Sequence, residues 1–326
     1  MGVREPERVF FTANTTQGLS TVLKGLLKQG DHVILSDLEH NAVWRPLYKM
    51  EREGKITMDF FDSLVGESER TATKICDGIS RLIRPETRMV VCLHSSNVCS
   101  VTLPIREIGT FCHRHGLLFV VDGAQSAGRE RIDVDKMEID ALCVPGHKGL
   151  LGPQGCGMVL LGKGILPDTL MEGGNGLYSL EGDMSEELPE RYEAGTLPTP
   201  AIAGLCEGLR LLNTIGIEEI GGWERRLYRR ARELLGNTRD VILYAPEYEG
   251  GVLMMNLRGY SAEAVGQALN EEGICVRSGY HCSALGHGRL RTPEGGGVRI
   301  SFGPDNRLWE IDRLWQSIRR LTAQKS

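Results

Sequence analysis

Val120-Val121-Asp122-Gly123-Ala124-Gln125, followed by Pro145-Gly146-His147-Lys148-Gly149, is the stretch from which the rest of the chain can be read. An apolar run delivers an aspartate to its own end, and a lysine follows 26 positions later inside a glycine-rich turn. A carboxylate in that place suits a protonated pyridine nitrogen, and an amine suits a covalent tether. Gln125, three residues past the aspartate, adds a donor for a ring oxygen. Taken alone, Asp122 is equally a turn former, and Lys148 a solvated loop lysine, the default for its type. As an ordered pair they point to pyridoxal 5'-phosphate as cofactor, with Lys148 partly desolvated and lowered in pKa. His147 is placed to reach the phosphate.

Working outward, short β-rich runs alternate with amphipathic stretches. Val9–Thr12, His32–Leu35, Met89–Leu93, Leu117–Val121, Ala141–Val144 and Met158–Leu161 read as strands. Thr15–Lys28 carries Leu19, Val22, Leu23, Leu26 and Leu27 at helical spacing. Strands buried on both faces and separated by helices imply an α/β fold, a mostly parallel doubly wound sheet. Ligands of such sheets lie beyond the carboxyl ends of the strands, where Asp122 and Ser95-Ser96-Asn97 fall. Residues 172–190 are rich in glycine and acids and read as a long surface loop. From Ala201 the texture changes to helices over Ile202–Thr214 and Gly222–Leu235, a strand at Val252–Leu257 and a last helix after Asp305. The expected division is a large cofactor-binding domain over 1–200 and a smaller α/β domain over 201–326.

At 326 residues the chain is long enough for two lobes. A hydrophobic share of 41%, a charged share of 25% and a net charge of -5 are those of a soluble protein that does not bind nucleic acid. There is no apolar run of membrane-spanning length and no signal peptide. Nine cysteines without a Cys-x-x-Cys read as a reduced, cytoplasmic protein whose thiols are mostly small core residues.

Three further sites carry chemistry. Thr15 and Thr16 open the first helix, where free N–H groups and hydroxyls favour a phosphate; the plain alternative is a threonine N-cap. Cys282 lies in Gly279-Tyr280-His281-Cys282-Ser283-Ala284-Leu285-Gly286-His287, an exposed loop lined by two histidines in which a thiol can ionise and act as nucleophile. A metal site from Cys282, His281 and His287 is the weaker alternative, since no second pair completes a tetrahedral set, and no metal is expected. Cys112, His113 and His115 at a helix end read as structural. Arg299, inside the apolar run Val298–Phe302, needs a carboxylate partner, either an internal acid or a substrate.

These residues resemble the cysteine desulfurases of the class V aminotransferase group, pyridoxal-phosphate enzymes of fold type I. The likeness spans essentially the whole chain. It rests on Asp122-Gly-Ala-Gln125, Gly146-His147-Lys148, Glu39-His40-Asn41-Ala42, Ser96-Asn97-Val98, Arg191-Tyr-Glu-Ala-Gly-Thr196, the short loop around Cys282, and Arg299. The resemblance implies a seven-stranded large-domain sheet and a homodimer. It implies His40 stacked on the cofactor and active in proton transfer, and Asn97 near a cofactor oxygen and the substrate. Thr196 reaches the phosphate of the neighbouring subunit, and Arg299 holds the substrate carboxylate. L-Cysteine is then the substrate, Cys282 takes its sulfur as a persulfide, and a sulfur-acceptor protein follows. Selenocysteine or cystine lyase activity, an aminotransferase, or a non-catalytic sulfur-relay partner that binds the cofactor are the alternatives on this scaffold. Two departures accompany the likeness. The family's Asn-Ala-Ala segment has no counterpart ahead of Pro6; either the start has been lost or misassigned or the protein works without it, and substrate closure and part of the dimer interface turn on which. Pro145 stands where relatives place a hydroxyl, which predicts weaker cofactor retention by about 1–2 kcal/mol.

Overall fold

The computed structural model describes residues 1–323. Strands β1 (Val9–Thr12), β2 (His32–Ser36), β3 (Thr57–Phe61), β4 (Thr87–Leu93), β5 (Leu118–Asp122), β6 (Ala141–Pro145) and β7 (Gly157–Leu161) form one sheet in the order β1-β7-β6-β5-β4-β2-β3. The pairs β2–β3, β2–β4, β4–β5 and β5–β6 are parallel. Strand β7 runs antiparallel to both β1 and β6, so the sheet is mostly parallel with one reversed strand.

Helices α1 (Thr15–Leu26), α2 (Asn41–Arg52), α3 (Ala72–Ser80) and α4 (Ile105–Arg114) connect these strands and cover both faces. The pleat sorts the core in two. Ile34, Val90, Phe119, Val121 and Leu142 point to the side of Ile75, Ile79 and Ile108. Val33, Leu35, Met89, Val91, Val120 and Ala141 point to the side of Leu19, Val22, Val43 and Leu47. Every strand residue of β2, β6 and β7 is buried, and each large aliphatic side chain so buried contributes about 1.5–3 kcal/mol. This two-sided burial removes the polar alternation that marks a half-exposed strand.

The second unit follows. Helices α5 (Thr199–Ile215) and α6 (Ile217–Gly236) precede β8 (Val241–Tyr244), β9 (Val252–Leu257), α7 (Ala262–Glu271), β10 (Arg277–Gly279), α8 (Ala284–Leu290), β11 (Gly297–Ser301) and α9 (Leu308–Ala323). The four strands form an antiparallel sheet in the order β10-β11-β9-β8. Its core gathers Leu227, Tyr228, Leu253, Met255, Val265, Leu269, Val298 and Leu314. Polar ties join the two sheets: the Ser100 hydroxyl donates to Val252 O at 2.7 Å and accepts from Val252 N at 3.0 Å. Arg129 Nε lies 3.1 Å from the buried Glu224 carboxylate of α6.

The periodicity reading passes over α2, β3, α3, β8 and α7. Strand β3 lies at the sheet edge with a mixed burial pattern, and α2 carries Pro46 and three basic residues, so both show weak apolar periodicity. Residues 172–190 are, as read, an irregular and largely exposed segment. Among the described residues no helix is long and apolar enough to cross a membrane.

Candidate active site

The ends of β4, β5 and β6 and the starts of α1 and α2 converge on one cavity. It has a volume of about 170 Å³ and is lined by residues that include Thr15, Thr16, His40, Asn97, Asp122, Gln125, His147 and Lys148. Eight residues singled out from sequence thus meet in one place, contributed by the ends of β5 and β6, the turn after β4 and the starts of α1 and α2.

Asp122 is buried, and its Oδ1 accepts from Ala124 N at 2.8 Å. That bond orients the carboxylate and leaves the second oxygen for a donor in the cavity. The turn after Asp122 and the turn holding Lys148 pack backbone against backbone. A Cβ on Gly128 (φ +84°) would meet Gly149 O at 2.0 Å, and a Cβ on Gly149 would meet Ala127 O at 2.3 Å. Neither glycine can carry a side chain without parting the two turns, so the carboxylate-to-amine spacing depends on them. Lys148 opens onto the cavity rather than lying in apolar packing. The cavity walls still lower its pKa, first by desolvation and then through the cations Arg299 and Arg129, against an opposing pull from Asp122.

Helix α1 is capped by Asn14, not by a threonine. Asn14 Oδ1 accepts from Gln17 N at 3.0 Å while Gln17 Oε1 accepts from Ala13 N at 2.8 Å, a reciprocal cap. The Thr15 hydroxyl is therefore released from capping, and it is buried without a partner. His40 caps α2 by accepting from Ala42 N at 3.0 Å on Nδ1, so the ring's hydrogen resides on Nε2. Desolvation lowers the His40 pKa, with Asp122 opposing. Desolvation also lowers that of the exposed His147, and the neighbouring Lys148 adds to the effect.

Asn97 joins the two lobes. Its Nδ2 donates to His281 O at 2.8 Å, and its own carbonyl accepts from Arg299 Nη1 at 3.2 Å. Its buried Oδ1 has no partner, and neither does Arg299 Nε. Among the described residues Arg299 enters no ion pair, so the internal-acid alternative has no support. Strand pairing instead sets Arg277 directly across from Arg299. Two like charges on one face of an antiparallel pair are unfavourable, and an incoming carboxylate relieves them. Arg277 was not singled out from sequence; its signal emerges only when the register with Arg299 is known.

Cys282 is exposed, and so are Cys206 and Cys275, so exposure alone does not single it out. Burial pushes the thiols of Cys92, Cys99, Cys112, Cys143 and Cys156 up, away from thiolate chemistry. The loop histidines do not line the thiol as expected. His281 and His287 are buried and hydrogen-bonded to each other, and the cations that sense Cys282 are Lys148 and Arg299. Both imidazoles are thereby committed to protein partners, which removes them from the alternative metal set. Thr196 is exposed and does not line the cavity. His115 packs on Phe111, with ring centroids 4.1 Å apart, and Cys112 is buried, as a structural cluster would be.

Glu39 is a second residue that motif reading names without a role. It is fully buried between Ser36, whose hydroxyl donates to it, and Leu93 N, which donates at 2.8 Å. Burial raises its pKa to about 8, and the nearby Asp122 contributes. Burial thus favours the protonated carboxyl, against the two hydrogen bonds it accepts.

The model for class V aminotransferases matches residues 1–314. The chain belongs to this family, whose members are pyridoxal-phosphate enzymes. It is 30% identical over 325 residues to a probable cysteine desulfurase of Methanothermobacter thermautotrophicus, covering 97% of this chain and 80% of that one. It is 30% identical over 331 residues to a cysteine desulfurase of Salmonella agona, covering 98% and 79%. The apo structure of a cysteine desulfurase from Thermococcus onnurineus NA1 superposes with a TM-score of 0.87 at 29% identity, covering 98% and 80%. An Escherichia coli cysteine desulfurase in its S-sulfonic acid form shares the fold, with a TM-score of 0.88 at 24% identity. The fold is thus that of these type I pyridoxal-phosphate enzymes.

Proposed function

We propose that this class V aminotransferase is a cysteine desulfurase that binds pyridoxal 5'-phosphate, takes sulfur from L-cysteine onto Cys282 and releases L-alanine. The observation that carries the reading is the double engagement of Asn97. Its side chain lines the cavity of Asp122 and Lys148 and donates to the carbonyl preceding Cys282, while its main chain accepts from Arg299. Cradle, nucleophile and anion holder are joined through one residue.

The cofactor fits the residues present. Buried atoms without partners, Thr15 Oγ1 and Asn97 Oδ1, belong to residues that line the cavity. The free oxygen of Asp122 suits the pyridine N–H, Lys148 the covalent tether, Gln125 the ring oxygen, and Thr15, Thr16 and His147 the phosphate. When bound, the protonated ring accepts electron pairs left on the substrate's carbon atoms. Arg299 holds the substrate carboxylate through the guanidinium face left open by its single bond to Asn97. The lowered pKa of Lys148 raises its uncharged share near neutrality, which suits it to moving the α-proton. His40, neutral with a hydrogen on Nε2, is placed over the same cavity for a further transfer. Cys282 Sγ forms an S–S bond to the substrate sulfur as that sulfur's bond to carbon breaks.

A homodimer is part of the reading. It is supported by exposed Thr196 and by exposed Leu166, Met171, Leu177 and Leu180 on one irregular segment, apolar surface that a second subunit would cover. A cytoplasmic setting and a sulfur-acceptor protein complete the proposal.

The test is to incubate the cofactor-loaded protein with L-cysteine and measure alanine and protein persulfide. Wild type yields both, and Cys282→Ala retains the visible absorbance of the cofactor but forms no persulfide. Sulfur release by Cys282→Ala at the wild-type rate would refute the nucleophile assignment. A loaded protein that makes no alanine at any cysteine concentration would instead favour the sulfur-relay reading.

A further inference from the structure

The loop that bears Cys282 contains two histidines that the chemistry above does not use. His281 and His287 are 5% and 3% exposed. Their ring planes lie within 14° of parallel, and His281 Nδ1 is 3.1 Å from His287 Nε2. The outer ends of the pair assign the hydrogens. His281 Nε2 lies 2.8 Å from Arg277 O. A carbonyl oxygen only accepts, so Nε2 is the N–H. A neutral ring then leaves Nδ1 as acceptor, and His287 Nε2 must donate to it. His287 Nδ1 in turn accepts from the Thr292 hydroxyl at 2.8 Å. All three bonds run one way: Thr292 to His287, His287 to His281, His281 to the Arg277 carbonyl.

This direction requires both rings to be neutral, because a second proton on His281 would set N–H against N–H at 3.1 Å, and one on His287, at Nδ1, would reverse the bond from Thr292. Burial lowers both pKa values to about 4. The cations facing His281 are Arg277 and Arg299, which disfavour an imidazolium, and the edge of Tyr280 packs on His287 at 5.4 Å. The relay also has something to hold. His281 and Cys282 are consecutive left-handed residues, with φ +52° and +56°, each costing about 1–2 kcal/mol for a non-glycine residue. Asn97 Nδ2 grips His281 O and Asn41 N grips Cys282 O, both at 2.8 Å, from the large lobe. From the small lobe the relay ties the same turn to β10, the strand directly across from Arg299.

We infer that His281 and His287 are positioning residues: a one-way relay of neutral imidazoles that locks the left-handed turn and fixes the Cys282 thiol relative to the Arg277–Arg299 strand pair. The inference rests on Cys282 as the sulfur-accepting thiol.

The test uses cofactor-loaded protein with Cys206 and Cys275 changed to Ser, so that Cys282 is the one fully exposed thiol. Imidazole nitrogen NMR should show Nε2 protonated and Nδ1 bare on both rings throughout the neutral range. His287→Leu should slow persulfide formation at least about tenfold, a displacement-sized effect, and change the rate and pH profile of Cys282 alkylation by iodoacetamide. His287→Gln, whose amide can donate to His281, should recover most of both. If His287→Leu does not fold, Thr292→Val removes the terminal donor alone and should change the persulfide rate and the alkylation profile in the same direction, while the Arg277 carbonyl keeps Nε2 protonated on both rings. An Nδ1-protonated or doubly protonated ring in the wild type overturns the relay. So do a persulfide rate and an alkylation profile within about twofold of wild type in His287→Leu or, where that variant does not fold, in Thr292→Val. Persulfide formation that survives Cys282→Ser would defeat the nucleophile assignment instead, leaving the NMR result to judge the relay itself.

Discussion

The cradle of Asp122 and Lys148 and the loop of Cys282 sense each other's charge, yet they are built by opposite means. The cradle hangs from the ends of buried parallel strands whose register is set by two-sided apolar packing. Its side chains vary little in position because the sheet behind them has no alternative register. The loop has three strand residues before it and a short helix after it. It gains definition from individual hydrogen bonds to Asn41, Asn97, Arg277 and Thr292, and it carries two left-handed residues. The cradle resembles a fixed socket and the loop a sprung contact whose position depends on a few polar atoms.

Substitutions can break this contrast, beginning with the cradle. Lys148→Ala removes the proposed tether and proton carrier and should lower alanine production by at least about 10²–10⁴-fold, without changing the thermal midpoint of the cofactor-free protein by more than a few degrees. A large drop in that midpoint would mean that the lysine supports the turn rather than the chemistry. Arg299→Leu acts across the boundary between the regions. Losing charge-assisted bonds of about 1.5–3 kcal/mol should weaken cysteine binding by roughly 10–150-fold. A substrate titration should show this chiefly in KM; a fall in kcat in step with kcat/KM would mean that the arginine acts in the transition state rather than in binding.

The smallest expected effect tests the floor of the cradle. Glu39 has its pKa raised to about 8 from an ordinary 4.5. In the folded state it keeps a proton that the unfolded chain has lost, so its stabilisation is full below pH 4.5 and declines as pH rises toward 8. The slope approaches about 1.4 kcal/mol per pH unit in that window. Glu39→Gln carries no titrating proton, so thermal melts across this range should find wild type losing ground steadily to the variant. Parallel melting curves would mean that the carboxyl is ionised in the folded protein. The relay histidines carry the opposite sign. Their lowered pKa values leave their contribution intact above pH 6.5 and erode it on acidification toward 4.

Much of the cradle was legible because its residues are near neighbours in sequence. Strand, aspartate, turn and lysine are produced by a single passage of chain, and local chemistry already limits what such a passage can do. Thr15 and Thr16 could be placed at a helix start, but not whether they cap it; Asn14 and Gln17 settle that by taking the cap between them. The histidines beside Cys282 misled for the same reason in reverse. Adjacent in sequence to the thiol, they suggested its activation, whereas burial turns them toward each other.

The sequence by itself determined the alternating α/β plan, and it brought forward the carboxylate–amine pair proposed to hold a pyridine cofactor and the thiol proposed to take sulfur. These are written in periodicity, spacing and local chemistry. Only the tertiary structure decided that Arg277 stands across from Arg299, that Asn97 joins both lobes, that Glu39 is buried with its pKa raised and that two histidines face each other. Each of these depends on register, burial or a contact between residues far apart in the chain, and burial sets the protonation states that no single residue type can announce.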